Sequence, residues 1–98
     1  MNLKPLILLA IPLFLLNCKS QNATLYVGTF TNGDSKGIYK FDFNTKTGAL
    51  SNLQLSIAID NPSFLTYSPN RKYLYSTNGT DDGFLSSYKI NEDGSLSL

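Results

Sequence analysis

From Gly37 to Asn44 the chain alternates with a period of two. Tyr39, Phe41 and Phe43 point one way, and Lys40 and Asp42 point the other. Helical spacing would scatter those three rings around a cylinder, so the pattern predicts a strand. Thr24–Phe30 also alternates, with Leu25, Val27 and Thr29 opposed to Tyr26, Gly28 and Phe30. Both of its faces carry apolar or aromatic groups, as expected of a strand covered on both sides. Between them Thr31–Lys36 is a polar loop, whose Asn32-Gly33 pair tolerates the positive φ of a tight reversal.

Thr45–Gly48 turns the chain, with Gly48 free to take the left-handed position, and Ala49–Gln54 returns as a more polar outer strand. Leu55–Ile59 reads as a short apolar crossing segment, stopped by Asp60-Asn61-Pro62. Pro62 has no N–H for a ladder and biases Asn61 towards an extended conformation. Further strands follow at Ser63–Ser68, Lys72–Asn78, Phe84–Ile90 and Ser95–Leu98. Pro69-Asn70-Arg71-Lys72 is a β-turn with proline pre-set for its first corner, and Asn91-Glu92-Asp93-Gly94 is the last turn. No stretch beyond the N-terminal region supports a helix of ten residues, so the fold class is all-β.

These elements repeat. Leu25-Tyr26 is answered by Leu74-Tyr75, Gly37 by Gly83, and Gly48-Ala49-Leu50-Ser51 by Gly94-Ser95-Leu96-Ser97. The offset is 49 residues at the first pair and 46 at the others, and such a spacing signals a repeat architecture. The second copy has four strands in series and the first has three, lacking the innermost. Four-stranded antiparallel blades set radially make a β-propeller. The expectation is that the missing strand is supplied from the far end of a longer chain. Two blades can neither close a ring nor bury their faces, so residues 24–98 read as the N-terminal part of a larger propeller. A free-standing seven-strand sheet or sandwich is the alternative, and it would expose a long edge and an apolar flank.

The first eighteen residues follow another rule. Lys4 precedes an apolar run from Leu6 to Leu16, which as a helix would rise roughly 16 Å, too short to span a hydrocarbon core of ~30 Å. This is signal-peptide length, assigned to residues 1–17. The run ends in Leu15-Leu16-Asn17-Cys18, which resembles the lipobox of bacterial lipoproteins, although Asn17 stands where Gly, Ala or Ser is usual. Cys18 is therefore the expected lipidation site, residues 18–23 a polar tether, and the location the cell envelope, by lipid anchor alone. It is the chain's one cysteine, so no intrachain disulfide can support the fold.

Composition narrows the partners. Charged residues make up 15% of the chain, eight Lys+Arg against seven Asp+Glu. No basic stripe is available to neutralise phosphates, which argues against nucleic acid. His and Trp are absent, and the twelve aromatics are all Tyr and Phe, set among Ser, Thr, Asn and Gly.

Three phrases carry a family resemblance. They are Tyr26-Val27-Gly28-Thr29-Phe30-Thr31; Gly37-Ile38-Tyr39 through Thr47-Gly48-Ala49-Leu50; and Asn61-Pro62-Ser63-Phe64-Leu65 followed by Ser68-Pro69-Asn70-Arg71-Lys72-Tyr73-Leu74-Tyr75. In this order they resemble the lactonase family of seven-bladed β-propellers, of the 6-phosphogluconolactonase type. The resemblance implies about one and three-quarter blades of a seven-bladed ring, hydrolysis of a sugar lactone and no cofactor. Where the family commonly continues "AVNE", this chain has Ser76-Thr77-Asn78-Gly79, so Asn78 alone matches. The histidine- and arginine-bearing blades of such enzymes lie further along, so catalytic residues are expected downstream of Leu98.

Lactone hydrolysis needs a general base and a partner for the developing oxyanion. The carboxylates present are Asp34, Asp42, Asp60, Asp81, Asp82, Glu92 and Asp93. Most fall in turns, where capping and solvation are their ordinary roles. Asp81-Asp82-Gly83 faintly suggests a cation loop but lacks the spaced oxygen ligands of an EF-hand, so no metal is expected. Asn22-Ala23-Thr24 and Asn78-Gly79-Thr80 fit the glycosylation sequon, which means little in a bacterial lipoprotein. The Tyr and Phe rings read as blade packing rather than a sugar-stacking platform. An exported, lipid-anchored lactonase-like hydrolase leads. A non-catalytic binding propeller or a scaffold module of the envelope is the alternative. The phosphorylated sugar lactone is a cytosolic metabolite, so an exported relative is expected to act on another lactone or to have lost the activity.

Overall fold

The computed structural model describes residues 21–79 and 82–98. Seven strands form two antiparallel sheets, and no helix occurs among the described residues. The first sheet has the order β1 (Asn22–Val27), β2 (Gly37–Asn44), β3 (Leu50–Ala58). The second has the order β4 (Pro62–Tyr67), β5 (Tyr73–Asn78), β6 (Phe84–Ile90), β7 (Leu96–Ser97). Both are meanders, so each strand pairs with its neighbour in sequence. Among the described residues the first sheet has no counterpart to β4, as the strand count predicted.

The turns carry the repeat in their backbone. Gly48 and Gly94, equivalent positions, both take positive φ, 79° and 86°. Asn44 N–H donates to the Ala49 carbonyl across a four-residue turn, and Asn91 N–H donates to the Ser95 carbonyl across a three-residue one, so the two hairpins share the glycine but differ by one residue in length. The Asn44 side chain accepts from the N–H groups of Lys46 and Thr47, a local bond that competes with strand continuation. At the other hairpin Pro69 takes the first corner of a turn closed by Arg71 N–H donating to the Ser68 carbonyl.

Three expectations fail. The first strand runs over Asn22–Val27 rather than Thr24–Phe30, and most of it is exposed rather than covered on both sides. β3 does not stop at Gln54. It runs through to Ala58, and the supposed crossing segment from Leu55 belongs to it. Its register against β2 shifts between Ile38 and Tyr39 and again between Lys40 and Asp42. Bulges such as these break the alternation that marks a strand. Asn52, with φ of 57°, lies in one shift, and buried Ser56 lies in the other. Asn61 is not extended either, with φ of 46°. Asn is among the few residues that tolerate this region. Here its side-chain oxygen accepts from Thr31 N–H at 2.8 Å, while its own N–H donates to Thr31 Oγ1 at 3.1 Å. This reciprocal clasp outweighs the preference imposed by the following proline.

The sheets pack face to face. Ile38, Leu74, Tyr88 and Leu96 are buried between them, with Tyr26, Ile57, Ile59, Leu65 and Ile90 packed around. Complete burial of a side chain such as Leu74 or Ile38 stabilises by roughly 2 kcal/mol. β5 alternates without a fault, its Leu74, Ser76 and Asn78 buried and Tyr73, Tyr75 and Thr77 exposed. Gly28 makes close approach possible, because a Cβ there would collide with the Pro62 carbonyl oxygen.

Candidate functional site

Two polar constellations lie where the sheets meet. The first is buried. Asn78, at the end of β5, is 2% exposed, and Ser76 beside it is 1% exposed. Ser76 Oγ donates to Asn78 Oδ1 at 2.9 Å, and Ser86 Oγ donates to the same oxygen at 3.0 Å. With the Ser76 proton so used, the 2.7 Å contact to Tyr88 is a bond donated by the Tyr88 hydroxyl. Asn78 Nδ2 donates to the Asp60 carbonyl at 2.8 Å, tying the network to the connection between the sheets. Each hydroxyl and the amide oxygen are satisfied, and bonds in series reinforce one another at low local dielectric. One buried group departs from this economy: Ser56 Oγ, in the bulge of β3, has no partner among the described residues.

The second constellation is open to solvent. At the end where the 68–72 and 91–94 turns lie, a groove of about 490 Å³ is lined by Tyr26, Lys40, Asp42, Tyr67, Arg71 and Asp93, among others. β1 and β2 place Tyr26 opposite Lys40, and Thr24 opposite Asp42, on one face. Tyr26 hydroxyl donates to the Gly94 carbonyl at 2.7 Å, and Lys40 Nζ donates to the Asp93 carbonyl at 2.6 Å. Tyr26 and Tyr67 meet edge to face, their ring centres 6.2 Å apart, and the Arg71 guanidinium lies 4.6 Å over the Tyr67 ring.

The groove's electrostatics favour holding over catalysis. Burial, with smaller contributions from Tyr67 and Asp93, pushes the Tyr26 phenol up to about 12, so it stays protonated as a donor. Asp93 is held below the usual carboxylate range, first by the Ser95 hydroxyl and N–H that donate to it, with help from Lys40. A phenol that keeps its proton and a carboxylate that refuses one do not make an acid–base pair near neutrality.

Of the carboxylates singled out by sequence, Asp42, Glu92 and Asp93 line the groove and the rest are scattered. Asp42 accepts from Asn52 Nδ2, Asp34 and Asp82 are exposed, and Asp60 enters the buried network only through its carbonyl. Glu92 reaches the rim of the groove. Asp81 lies outside the described residues, as does Cys18. No cluster of three metal-ligating side chains occurs among the described residues. The sequon at Asn78 is blocked, since its amide is buried and bonded at both ends. The one at Asn22 begins an exposed strand. The aromatic row of Tyr39 and Phe41 joins Val27 and Leu53 around a hollow of about 360 Å³ on the face turned away from the second sheet. Sequence reasoning missed the Ser76–Asn78–Ser86–Tyr88 network. Its signal was the small polar residues on alternate positions of two paired strands.

Similarity to known proteins matches this architecture. The family described as lactonase, 7-bladed beta-propeller, matches residues 24–98. The chain is 38% identical over 69 residues to the 6-phosphogluconolactonase of Bacillus subtilis, covering 69% of this chain and 20% of that protein. It is 42% identical over 79 residues to the 6-phosphogluconolactonase of Formosa agariphila, covering 76% and 22%. The crystal structure of a Bacteroides uniformis protein named a candidate 6-phosphogluconolactonase superposes with a TM-score of 0.73 at 38% identity. That match covers 81% of this chain and 24% of the other. The chain thus spans about a fifth of the length of the curated relatives it matches. With the two meander sheets and the hairpin repeat, these matches show that the chain belongs to the lactonase family of seven-bladed β-propellers.

Proposed function

We propose that residues 24–98 contribute adjoining blades to a lactonase-type hydrolase of a sugar lactone, exported and held at the cell envelope through a lipid on Cys18. The match across residues 24–98 to a family whose relatives are named 6-phosphogluconolactonase carries this reading. The apolar face of the first sheet supports it, because a neighbouring blade would cover Leu25, Leu50, Leu53 and Leu55, which are 40–59% exposed. In that reaction water attacks the ring carbonyl and the ester C–O bond breaks, which requires a base and an oxyanion partner. The base and the partner come from outside these two sheets, and the two sheets contribute scaffold. The 98-residue chain alone is therefore inactive, and the complete ring is active.

A panel of sugar lactones, phosphorylated and not, assayed with the chain alone and with a full-length relative carrying these blades, tests this. Turnover by the chain alone overturns the scaffold role. No turnover by the full ring on any member of the panel supports instead a binding or scaffold propeller. The anchor is tested separately: incorporation of a labelled fatty acid in a bacterial host, lost in Cys18→Ala, is the expected result, and equal labelling of both chains rejects it.

A further inference from the structure

The chain contains two Asn-Gly steps, and the fold treats them in opposite ways. Asn32 and Gly33 are both exposed in the loop between β1 and β2. Among the described residues the Asn32 amide makes no hydrogen bond, and nothing lies within 4 Å of a Cβ built on Gly33. Asn78 and Gly79 are held. The Asn78 amide is 2% exposed and bonded to Ser76, Ser86 and the Asp60 carbonyl, and Gly79 N–H donates to the Asn61 carbonyl at 3.2 Å.

We propose that Asn32 is a site of spontaneous covalent modification, closing to a succinimide on the Gly33 nitrogen and opening to isoaspartate and aspartate. Hydroxide removes the Gly33 amide proton, and that nitrogen attacks Asn32 Cγ. The new C–N bond closes a five-membered ring, the Cγ–Nδ2 bond breaks, and the nitrogen leaves as ammonia. Water then opens the ring at either carbonyl, so the net reaction consumes one water and releases one ammonia. Glycine is the successor that least hinders this attack, having no side chain. At Asn78 both partners are occupied: the nucleophilic nitrogen by the Asn61 carbonyl and the amide by three bonds. That step must wait for local opening of β5.

The product differs from its parent in charge and, in the isoaspartyl form, in backbone length by one methylene. Both changes fall next to Thr31, whose N–H and hydroxyl form the clasp with Asn61. Modification at Asn32 thus adds an anion beside Asp34 and lengthens the loop that the clasp holds. The inference does not depend on the hydrolase reading.

The test holds the folded chain at mildly alkaline pH and follows both Asn-Gly peptides by mass spectrometry and isoaspartyl methyltransferase labelling. Asn32 is expected to convert at least roughly tenfold faster than Asn78 in the folded chain, with the gap closing in denaturant, where both steps are open. Gly33 takes no left-handed φ and has open space around it, so Gly33→Ala keeps the fold by circular dichroism while slowing conversion. Equal native rates at the two steps, an Asn32 that stays intact, or an unchanged rate in Gly33→Ala would each overturn the proposal.

Discussion

The buried face of the second sheet and the outward face of the first differ in a way that reverses the usual expectation. The buried face carries Ser76, Asn78, Ser86 and the Tyr88 hydroxyl among its apolar groups. The outward face of the first sheet carries Leu25, Val27, Tyr39, Phe41 and Leu55, with Leu50 and Leu53 nearby, and lies partly open. Apolar content alone does not decide which face is covered. The polar face is buried because each of its groups finds a partner, which removes the desolvation penalty, while Leu74, Tyr88 and Leu96 supply the driving force.

The largest expected effect tests that driving force. Leu74→Ala should destabilise the chain by about 3 kcal/mol, through lost transfer energy and the cavity left behind. Urea unfolding should show it as a lower midpoint at unchanged slope. Asn78→Ala comes next, at about 2 kcal/mol, because it strands the Asp60 carbonyl and two serine hydroxyls. A neutral result there would mean the network is decoration and the comparison between faces is wrong.

Tyr26 supplies a smaller, pH-dependent effect. Burial pushes its phenol up to about 12 in the folded chain, from an ordinary 10.0. A folded value above the unfolded one means this contribution is complete below pH 10.0 and is lost as pH rises towards about 12. Stability measured across that window should fall, and Tyr26→Phe should flatten the fall specific to this residue. The smallest effect is expected on the outward face. Leu53→Thr should change stability by no more than about 0.5 kcal/mol while reducing light scattering at high concentration. A loss comparable to that of Leu74→Ala would show that the outward face is part of the core.

How far the sequence foretold this depends on the element. Alternation is a local signal, and where the ladder is regular it was sufficient: β2 and β6 have the bounds that the pattern predicts. It failed in β3, where two bulges interrupt the period and made one strand look like two. Asn61 was misread because the proline preference is local, whereas the clasp with Thr31 spans thirty residues. The groove was illegible for a related reason. Tyr26, Lys40, Tyr67, Arg71 and Asp93 come from both sheets, and only the packing of one on the other brings them together. The hairpin glycines, by contrast, declared themselves, since both positive-φ turns recur in register.

The clasp between Thr31 and Asn61 also bears on how the two sheets find each other. It closes a loop of thirty residues around β2 and β3 and fixes the start of β4 against the first sheet. Held there, the rest of the second sheet meets its partner as a tethered neighbour, at an effective concentration on the order of millimolar. The two sheets share one chain, so their assembly is intramolecular from the outset, and the clasp, which also includes Thr31 Oγ1–H donating to Asn61 Oδ1 at 3.2 Å, narrows that search further.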